Sequence, residues 1–200
     1  EMWPTHSVAG GQYWGHAFSL LQRAEAFTRD HMPISGKVVP GKMKREDHPL
    51  YPPRAIREAL ANAICHRDYA IPGASVSVAI YDDRMEIINP GSLRFGITPE
   101  TLSEPHESKP WNPLIANVFY RAGIIEQWGT GTLNIIDWCR ENNNPDPVWS
   151  VAQNDVYLTL KPFERKSAKE ETAPTQTATQ SATQSTDPVI RLLQALAQGP

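Results

Sequence analysis

The chain has 200 residues, 40% of them hydrophobic, which is enough for one compact core with a small appendage. Its formal net charge of −3 gives no broad basic surface, so composition alone does not favour nucleic-acid binding by this chain. No apolar run approaches the roughly 18 residues that a membrane-spanning helix needs, and the two cysteines, Cys65 and Cys139, lack zinc-site or redox spacing. We therefore expect a soluble, cytoplasmic protein that does not contact membranes and holds no structural metal.

The first fifty residues contain one helix candidate followed by a connector. Residues 14–31 are predicted to form a packing helix because their apolar side chains make an approximately one-sided stripe. The stripe consists of Phe18, Leu20, Leu21, Ala24 and Phe27. Prolines and glycines punctuate the connector, with a short strand predicted at residues 37–39. We assign residues 1–50 to this N-terminal region.

A second helix is predicted after Pro52 and Pro53, since proline is well tolerated in the first turn of a helix. Within it Glu58 and Asn62 stand four residues apart and therefore share a face. A carboxylate can orient or deprotonate water, and an amide oxygen can join the oxygen shell of Mg²⁺. For the pair alone, the commoner interpretation is an exposed glutamate and an asparagine that satisfies local hydrogen bonds.

An alternating pattern follows the second helix. Residues 76–80 and 85–88 alternate apolar with other side chains on either side of a polar turn at 82–84, which predicts a hairpin. Asn89-Pro90-Gly91 should end the second strand with its backbone amides exposed. The weakly periodic, proline-containing stretch 92–113 is typical of a functional lid or of a disordered loop.

Two more helices and a strand complete the ordered part. Residues 114–120 are predicted to be helical up to a break at Gly123, and residues 133–139 form another apolar helix. The turn Gly129-Thr130-Gly131 before that helix suits a phosphate ligand, although glycines also serve plain turns. Alternating apolar residues at 156–160 predict a last strand.

The composition changes sharply after Phe163, where Lys, Glu, Thr, Gln, Ser and Ala replace aromatic residues. Such a sequence does not bury enough apolar surface to fold, so residues 164–186 are predicted to be a disordered linker. Asp187 and Pro188 then suit a helix start, and an apolar stripe follows. We expect residues 187–200 to begin a truncated winged-helix domain, and the chain to be a fragment of a longer protein.

The order of these motifs resembles the GHKL ATPases, a family that includes sensor histidine kinases, gyrase B, Hsp90 and MutL. Their E-x-x-x-N helix is matched by Glu58 and Asn62, and their Asp-x-Gly-x-Gly turn is matched in part by Asn89 and Gly91. Their glycine-rich turn at a helix start corresponds to Gly129, Thr130 and Gly131. The resemblance implies a two-layer α+β sandwich over residues 51–163. It also implies ATP and Mg²⁺ as cofactors, with Glu58 positioning water and Asn62 holding the metal, and with the remaining motif residues binding the nucleotide.

A closer resemblance is to the C-terminal domain of bacterial transcriptional regulators labelled RecG-like ATP-dependent DNA helicases. It is carried by YPPRAIREALANAICHRDY, MEIINPGSLRFGITPETL and NPLIANVFYRAGIIEQWGTGT. It implies an ATP-binding regulatory module that reaches DNA through flanking domains outside this chain, with a homodimer as a further expectation. Helicase activity itself is not expected, because no G-x-x-x-x-G-K-[ST] loop is present.

The sequence also departs from the GHKL pattern. Asn89 stands at the aspartate position, Leu93 replaces the second glycine, and Trp111 stands where relatives often have arginine. An amide oxygen still accepts a hydrogen bond, so we expect lower affinity or a changed ligand. The alternative function is a degenerate scaffold for dimerisation or domain packing without ATP. Histidine kinase activity is not favoured, since no dimerisation helix with a phosphoacceptor histidine precedes Tyr51, and ATP hydrolysis is left open.

Overall fold

The computed structural model describes residues 11–32, 34–37, 46–94, 96–107, 109–125 and 129–163. All of them belong to the unit Glu1–Arg165. The predicted linker and the predicted winged-helix segment lie outside the described residues. None of the helices in the described ranges combines the length and the apolar character needed to cross a membrane.

The described residues form four helices and two antiparallel sheets. The helices are α1 (Ala17–His31), α2 (Pro53–His66), α3 (Pro113–Arg121) and α4 (Gly131–Glu141). The strands are β1 (Ile34–Lys37), β2 (Glu46–Pro49), β3 (Ser77–Ile80), β4 (Met85–Pro90), β5 (Val148–Ala152) and β6 (Asp155–Leu160). Strands β1 and β2 pair with each other, and the other four form a sheet in the order β3-β4-β6-β5. This mixture of helices with antiparallel strands confirms the predicted α+β class.

One face of the four-stranded sheet is buried. Side chains alternate between the two faces of a strand, and on β4 Met85, Ile87 and Asn89 are buried at alternate positions, together with the terminal Pro90. On the neighbouring strand β6, Leu158 and Leu160 are buried in the same core. Asn89 is therefore a polar residue on the core-facing side of a central strand.

Helix α2 lies at the centre of the helical layer. It contacts α1, α3, α4 and strand β4, and nine of its 14 residues are buried. Pro53 occupies its first turn, as predicted. Alanines at positions 55, 59 and 63 recur at four-residue spacing, and such small side chains let neighbouring elements approach closely. Glu58 is buried with the apolar residues, which corrects the interpretation of this glutamate as an exposed side chain.

Several predicted boundaries differ from the observed ones. Helix α1 begins at Ala17 rather than at residue 14, because Gly15 has a φ of 152° and His16 is the N-cap. The His16 Nδ1 atom accepts a hydrogen bond from the Ser19 N–H at 3.3 Å. The first short strand covers Ile34–Lys37, and residues 38 and 39 lie outside the described residues. Helices α3 and α4 are each slightly longer than predicted.

Strand β5 was missing from the sequence-based prediction. It forms a hairpin with β6 through Gln153 and Asn154, whose φ angles are 51° and 67°. Two consecutive positive φ angles are typical of a two-residue turn that matches the twist of the strands, and asparagine is favoured there. The asparagine at position 154 was therefore the sequence feature from which this hairpin could have been predicted.

A buried asparagine links the end of α4 to two distant segments. The Asn144 Nδ2 atom donates to the Leu50 carbonyl at 2.7 Å and to the Lys161 carbonyl at 2.9 Å. Its Oδ1 atom accepts from Asn142 Nδ2 at 2.7 Å. The preceding residue, Asn143, is exposed with a φ of 62° and ends the helix in the left-handed conformation.

We expect Asn144→Ala to lower the free energy of unfolding by about 2 kcal/mol, because it removes a buried amide whose two hydrogen bonds, to the Leu50 and Lys161 carbonyls, are partly buried. Urea denaturation followed by circular dichroism measures this change. The matched control is Asn143→Gly, which removes an exposed amide and suits a positive φ, and should change the stability by less than about 0.5 kcal/mol. Equal losses in the two variants would contradict the role assigned to Asn144.

Candidate functional site

Glu58 and Asn62 form a hydrogen-bonded pair on the face of α2. The Asn62 Nδ2 atom donates to Glu58 Oε1 at 3.2 Å, and the Glu58 side chain is 6% exposed. An ionised carboxylate only accepts hydrogen bonds, so the amide nitrogen must be the atom that faces it. The Oδ1 atom of Asn62 is therefore turned away from Glu58 and keeps its capacity to accept or to ligate a cation.

Gly131, the first residue of α4, packs directly against this pair. A Cβ atom built at position 131 would lie 2.4 Å from Glu58 Oε1 and 2.9 Å from Asn62 Nδ2. Position 131 requires glycine because a larger side chain does not fit there. Its backbone conformation is not the reason, since Gly131 does not have a positive φ. Gly129 differs, because its φ of 95° is one that other residues rarely adopt. The glycine turn thus contacts the carboxylate and the amide on α2. These two sequence motifs are about 70 residues apart in the chain.

A cavity of about 150 Å³ opens beside the pair. Five of the seven predicted site residues line it: Glu58, Asn62, Asn89, Gly129 and Gly131. Much of the remaining wall is apolar, with contributions from β4, β6 and α4. Apolar walls with a few polar groups are typical of small-molecule sites.

Two buried oxygen atoms in this wall lack hydrogen-bond partners. They are Asn89 Oδ1 and Thr132 Oγ1. Most buried polar atoms in native proteins are paired, so an unpaired one at a cavity indicates a position for a ligand or water. Thr132 was not predicted as a site residue, because in the sequence it is only a polar residue next to the glycine turn.

The two remaining predicted residues, Gly91 and Thr130, are not among those that line the cavity. Gly91 has a φ of 128°, and a Cβ atom there would lie 3.2 Å from Asp68 Cβ. Its N–H donates to the Asn154 carbonyl at 3.0 Å, so the prediction of an exposed amide is wrong for this residue. Thr130 is exposed and is the N-cap of α4 without a side-chain capping bond.

The segment between β4 and α3, predicted as a lid, covers one side of the cavity. Arg94 stacks on the Trp111 ring, with its guanidinium carbon 3.3 Å from the ring centroid, and both residues line the cavity with Lys109. The sequence drew attention to Trp111 only as a departure from relatives. Arg94 and Lys109 were missed because isolated cations in a loop carry no periodic signal. Arg94 places positive charge at the cavity, whereas the Lys109 ammonium group is paired with the Glu107 carboxylate at 3.0 Å.

Asn112 fastens the end of this segment to α2. Its Nδ2 atom donates to the carbonyls of Cys65 at 3.1 Å and Arg67 at 2.8 Å. Arg67 donates through Nη2 to the Ala74 carbonyl and stacks on Tyr69, with its guanidinium carbon 4.6 Å from the ring centroid. These contacts give Arg67 a structural role in the loop after α2.

Burial changes the titration of two residues at the cavity. It lowers the pKa of His66 to about 4, with a smaller effect from nearby His106. It also raises the pKa of the Cys65 thiol to about 12, with a further contribution from the Glu58 carboxylate. His66 is therefore neutral at physiological pH, and Cys65 does not supply a thiolate nucleophile.

The donor set limits the kind of metal that fits. In the part of the chain that the structure describes, no group of three or more His, Cys, Asp or Glu side chains is placed to hold a metal ion. Mg²⁺ usually keeps several waters and binds one or two protein oxygens together with substrate phosphates. The Glu58–Asn62 pair fits that mode.

One family model matches part of the chain. Residues 73–160 match the HATPase_c_4 family model, described as "Putative ATP-dependent DNA helicase recG C-terminal". Over this segment, which is less than half of the chain, the protein is similar to GHKL-like, ATPase-like domains labelled RecG-like. The match includes Asn89 and the 129–131 turn but begins after α2, so the contact of Gly131 with Glu58 joins the matched and unmatched parts.

A solved structure supports the fold. The DIP2311 protein from Corynebacterium diphtheriae matches with a TM-score of 0.63 and 23% sequence identity, over 72% of this chain and 29% of that chain. The present chain thus spans less than a third of that protein's length, and the likeness bears on the GHKL-like fold alone. No curated protein sequence matches the chain.

We expect Gly131→Ala to destabilise the GHKL-like domain by about 2 kcal/mol, because the added methyl group overlaps the Glu58 carboxylate. The penalty should largely disappear in a Glu58→Ala background, where the overlapping oxygen is gone. Thermal and urea denaturation of the four proteins in this double-mutant cycle measure the coupling. An equal penalty in both backgrounds would show that Gly131 does not depend on Glu58.

We expect the free energy of unfolding to fall by about 1–2 kcal/mol between pH 7 and pH 5 through His66. The unfolded chain binds this proton near pH 6.5 and the folded chain near pH 4, so the unfolded state gains protons first. Urea denaturation at several pH values should give a shallower dependence for His66→Gln. An equally steep dependence in His66→Gln would contradict the assignment of this effect to His66.

Proposed function

We propose that the chain is the ATP-binding regulatory module of a DNA-associated transcriptional regulator, with the cavity as its nucleotide site. The contact of Gly131 with the Glu58–Asn62 pair carries this proposal. A nucleotide site of this type needs a carboxylate, a metal-ligating oxygen and a helix N-terminus at one place, and two separate motifs supply these three groups here. The family match supports the ATPase-like character.

Each side chain has a chemical task in this proposal. Glu58 orients or deprotonates a water molecule, and Asn62 offers Oδ1 to Mg²⁺. Bound Mg²⁺ would neutralise phosphate charge. The backbone at Gly129-Thr130-Gly131 leads into the N-terminus of α4, where anions are favoured, and the unpaired Oδ1 of Asn89 accepts from the base.

The covering segment serves as a lid in the same proposal. The cavity volume of about 150 Å³ is below the ~300–1,000 Å³ of typical ligand pockets, so Arg94 and Trp111 must separate for a nucleotide to enter. Arg94 then becomes available for phosphate contacts. Lid movement is how the module would influence DNA-binding domains elsewhere in the protein and a second copy of the chain.

A degenerate scaffold for dimerisation or domain packing is the second candidate. The departures at Asn89 and Leu93 favour it, as does the outer face of α3, where Leu114 is 82% exposed and Val118 is 48% exposed. Exposed apolar side chains at i and i+4 on a helix are typical of a packing surface. In this alternative Glu58 and Asn62 keep the arrangement of a nucleotide site but bind no ligand.

Isothermal titration with ATP separates the two candidates. We expect binding that depends on Mg²⁺ and that Asn62→Ala weakens at least tenfold, equivalent to about 1.4 kcal/mol, because the variant lacks the Mg²⁺-ligating oxygen. Without Mg²⁺ the two proteins should differ little.

Asn117→Ala is the matched control, since Asn117 is exposed on α3 and its removal should leave binding unchanged. ADP, with and without Mg²⁺, provides a second ligand in the same titration. The absence of heat at millimolar nucleotide would contradict the ATP-binding proposal and favour the scaffold. Size-exclusion chromatography with light scattering would then test for a dimer directly.

A further inference from the structure

Asn89 presents an amide to the cavity without a partner for its oxygen. It lies on the core-facing side of β4 with Met85 and Ile87, and its side chain is 8% exposed. Burying an unpaired polar group is unfavourable, so the sequence tolerates a penalty at this position. A ligand with a complementary polar edge removes that penalty.

The neighbourhood of this amide suits a flat ring. Ile87, Leu93, Ile97 and Ile135 contribute apolar wall to the same cavity, and Thr132 adds a second unpaired oxygen. Apolar walls accept the faces of a heteroaromatic ring, while the few polar groups decide which edge is accepted. The identity of residue 89 therefore bears on which base is bound.

An amide differs from a carboxylate in what it can recognise. An ionised carboxylate offers acceptors only, so it selects a ring edge that presents a donor, such as the 6-amino group of adenine. An amide offers an acceptor and donors side by side, and these exchange places when the group rotates by a half-turn. The rotated amide donates to a 6-keto oxygen and accepts from the adjacent ring N–H, as in guanine and hypoxanthine.

We propose that Asn89 makes the site accept 6-amino and 6-keto purine nucleotides alike. This inference rests on the proposed nucleotide site and concerns its base specificity. No protein group bonds Asn89 Oδ1 in the described residues, so this oxygen does not hold the amide in one orientation. The base itself then sets the orientation, and each purine finds a matching pair of hydrogen bonds.

Titration of the whole chain with Mg-ATP and Mg-ITP tests this proposal. ITP carries the 6-keto edge without the 2-amino group of guanine, so the comparison isolates the edge that Asn89 faces. We expect dissociation constants within about threefold of each other for the wild-type chain. In Asn89→Asp, the ratio of the ITP to the ATP dissociation constant should rise at least tenfold, because the carboxylate accepts from the 6-amino group but repels the keto oxygen.

The control is Asn117→Asp, which adds the same charge at an exposed position on α3 and should leave the ATP-to-ITP ratio unchanged. The ratio of the ATP and ITP dissociation constants of the wild-type chain tests the proposal even if Asn89→Asp does not fold. Binding of ATP with ITP at least tenfold weaker in the wild type would overturn this inference and leave the nucleotide site intact. Binding of neither nucleotide would overturn both proposals.

Discussion

The burial of helix α2 is the constraint on which the rest of the structure depends. The helix is enclosed by three other helices and by strand β4, and most of its residues are buried. A carboxylate in such a place needs hydrogen-bond partners, because an unpaired buried charge is strongly unfavourable. The amide of Asn62 supplies one, and the absence of a side chain at Gly131 leaves room for the Glu58 carboxylate. Packing and site chemistry are therefore fixed by the same contacts.

The sequence predicted those parts of the fold that follow from local signals. Helix α2 was found because Pro52 and Pro53 suit a helix start, and the hairpin of β3 and β4 was found because its apolar residues alternate. Strand β5 was missed because its exposed residues follow no clear alternation, and only the positive-φ turn at Gln153 and Asn154 marks it. Boundaries such as the start of α1 depend on single residues, in that case Gly15 and the cap at His16.

The candidate site was predictable only in part, for a related reason. The spacing of Glu58 and Asn62 places them on one helical face in any fold, whereas the approach of Gly131 depends on how α4 packs on α2. The orientation of Asn89 follows from the strand register, but its missing partner does not. Arg94 and Lys109 reach the cavity through an irregular segment, whose path no periodicity describes. Sequence motifs thus identified the groups on regular elements and missed those carried by the loop.

In the proposed function, the arrangement of the cavity connects nucleotide binding to several parts of the fold. Its wall combines residues from α2, β4, the covering segment, α4 and β6, which are far apart in the chain. A ligand that binds only this assembled wall stabilises the whole assembly, by an amount that grows with the logarithm of its concentration. Asn112 ties the covering segment to the end of α2 and immediately precedes α3. Any displacement of Arg94 and Trp111 therefore acts on a segment that is fixed at one end to the helix bearing Glu58 and Asn62. In the proposed function, this segment is the route from an occupied cavity to the outer face of α3, where Leu114 and Val118 are exposed.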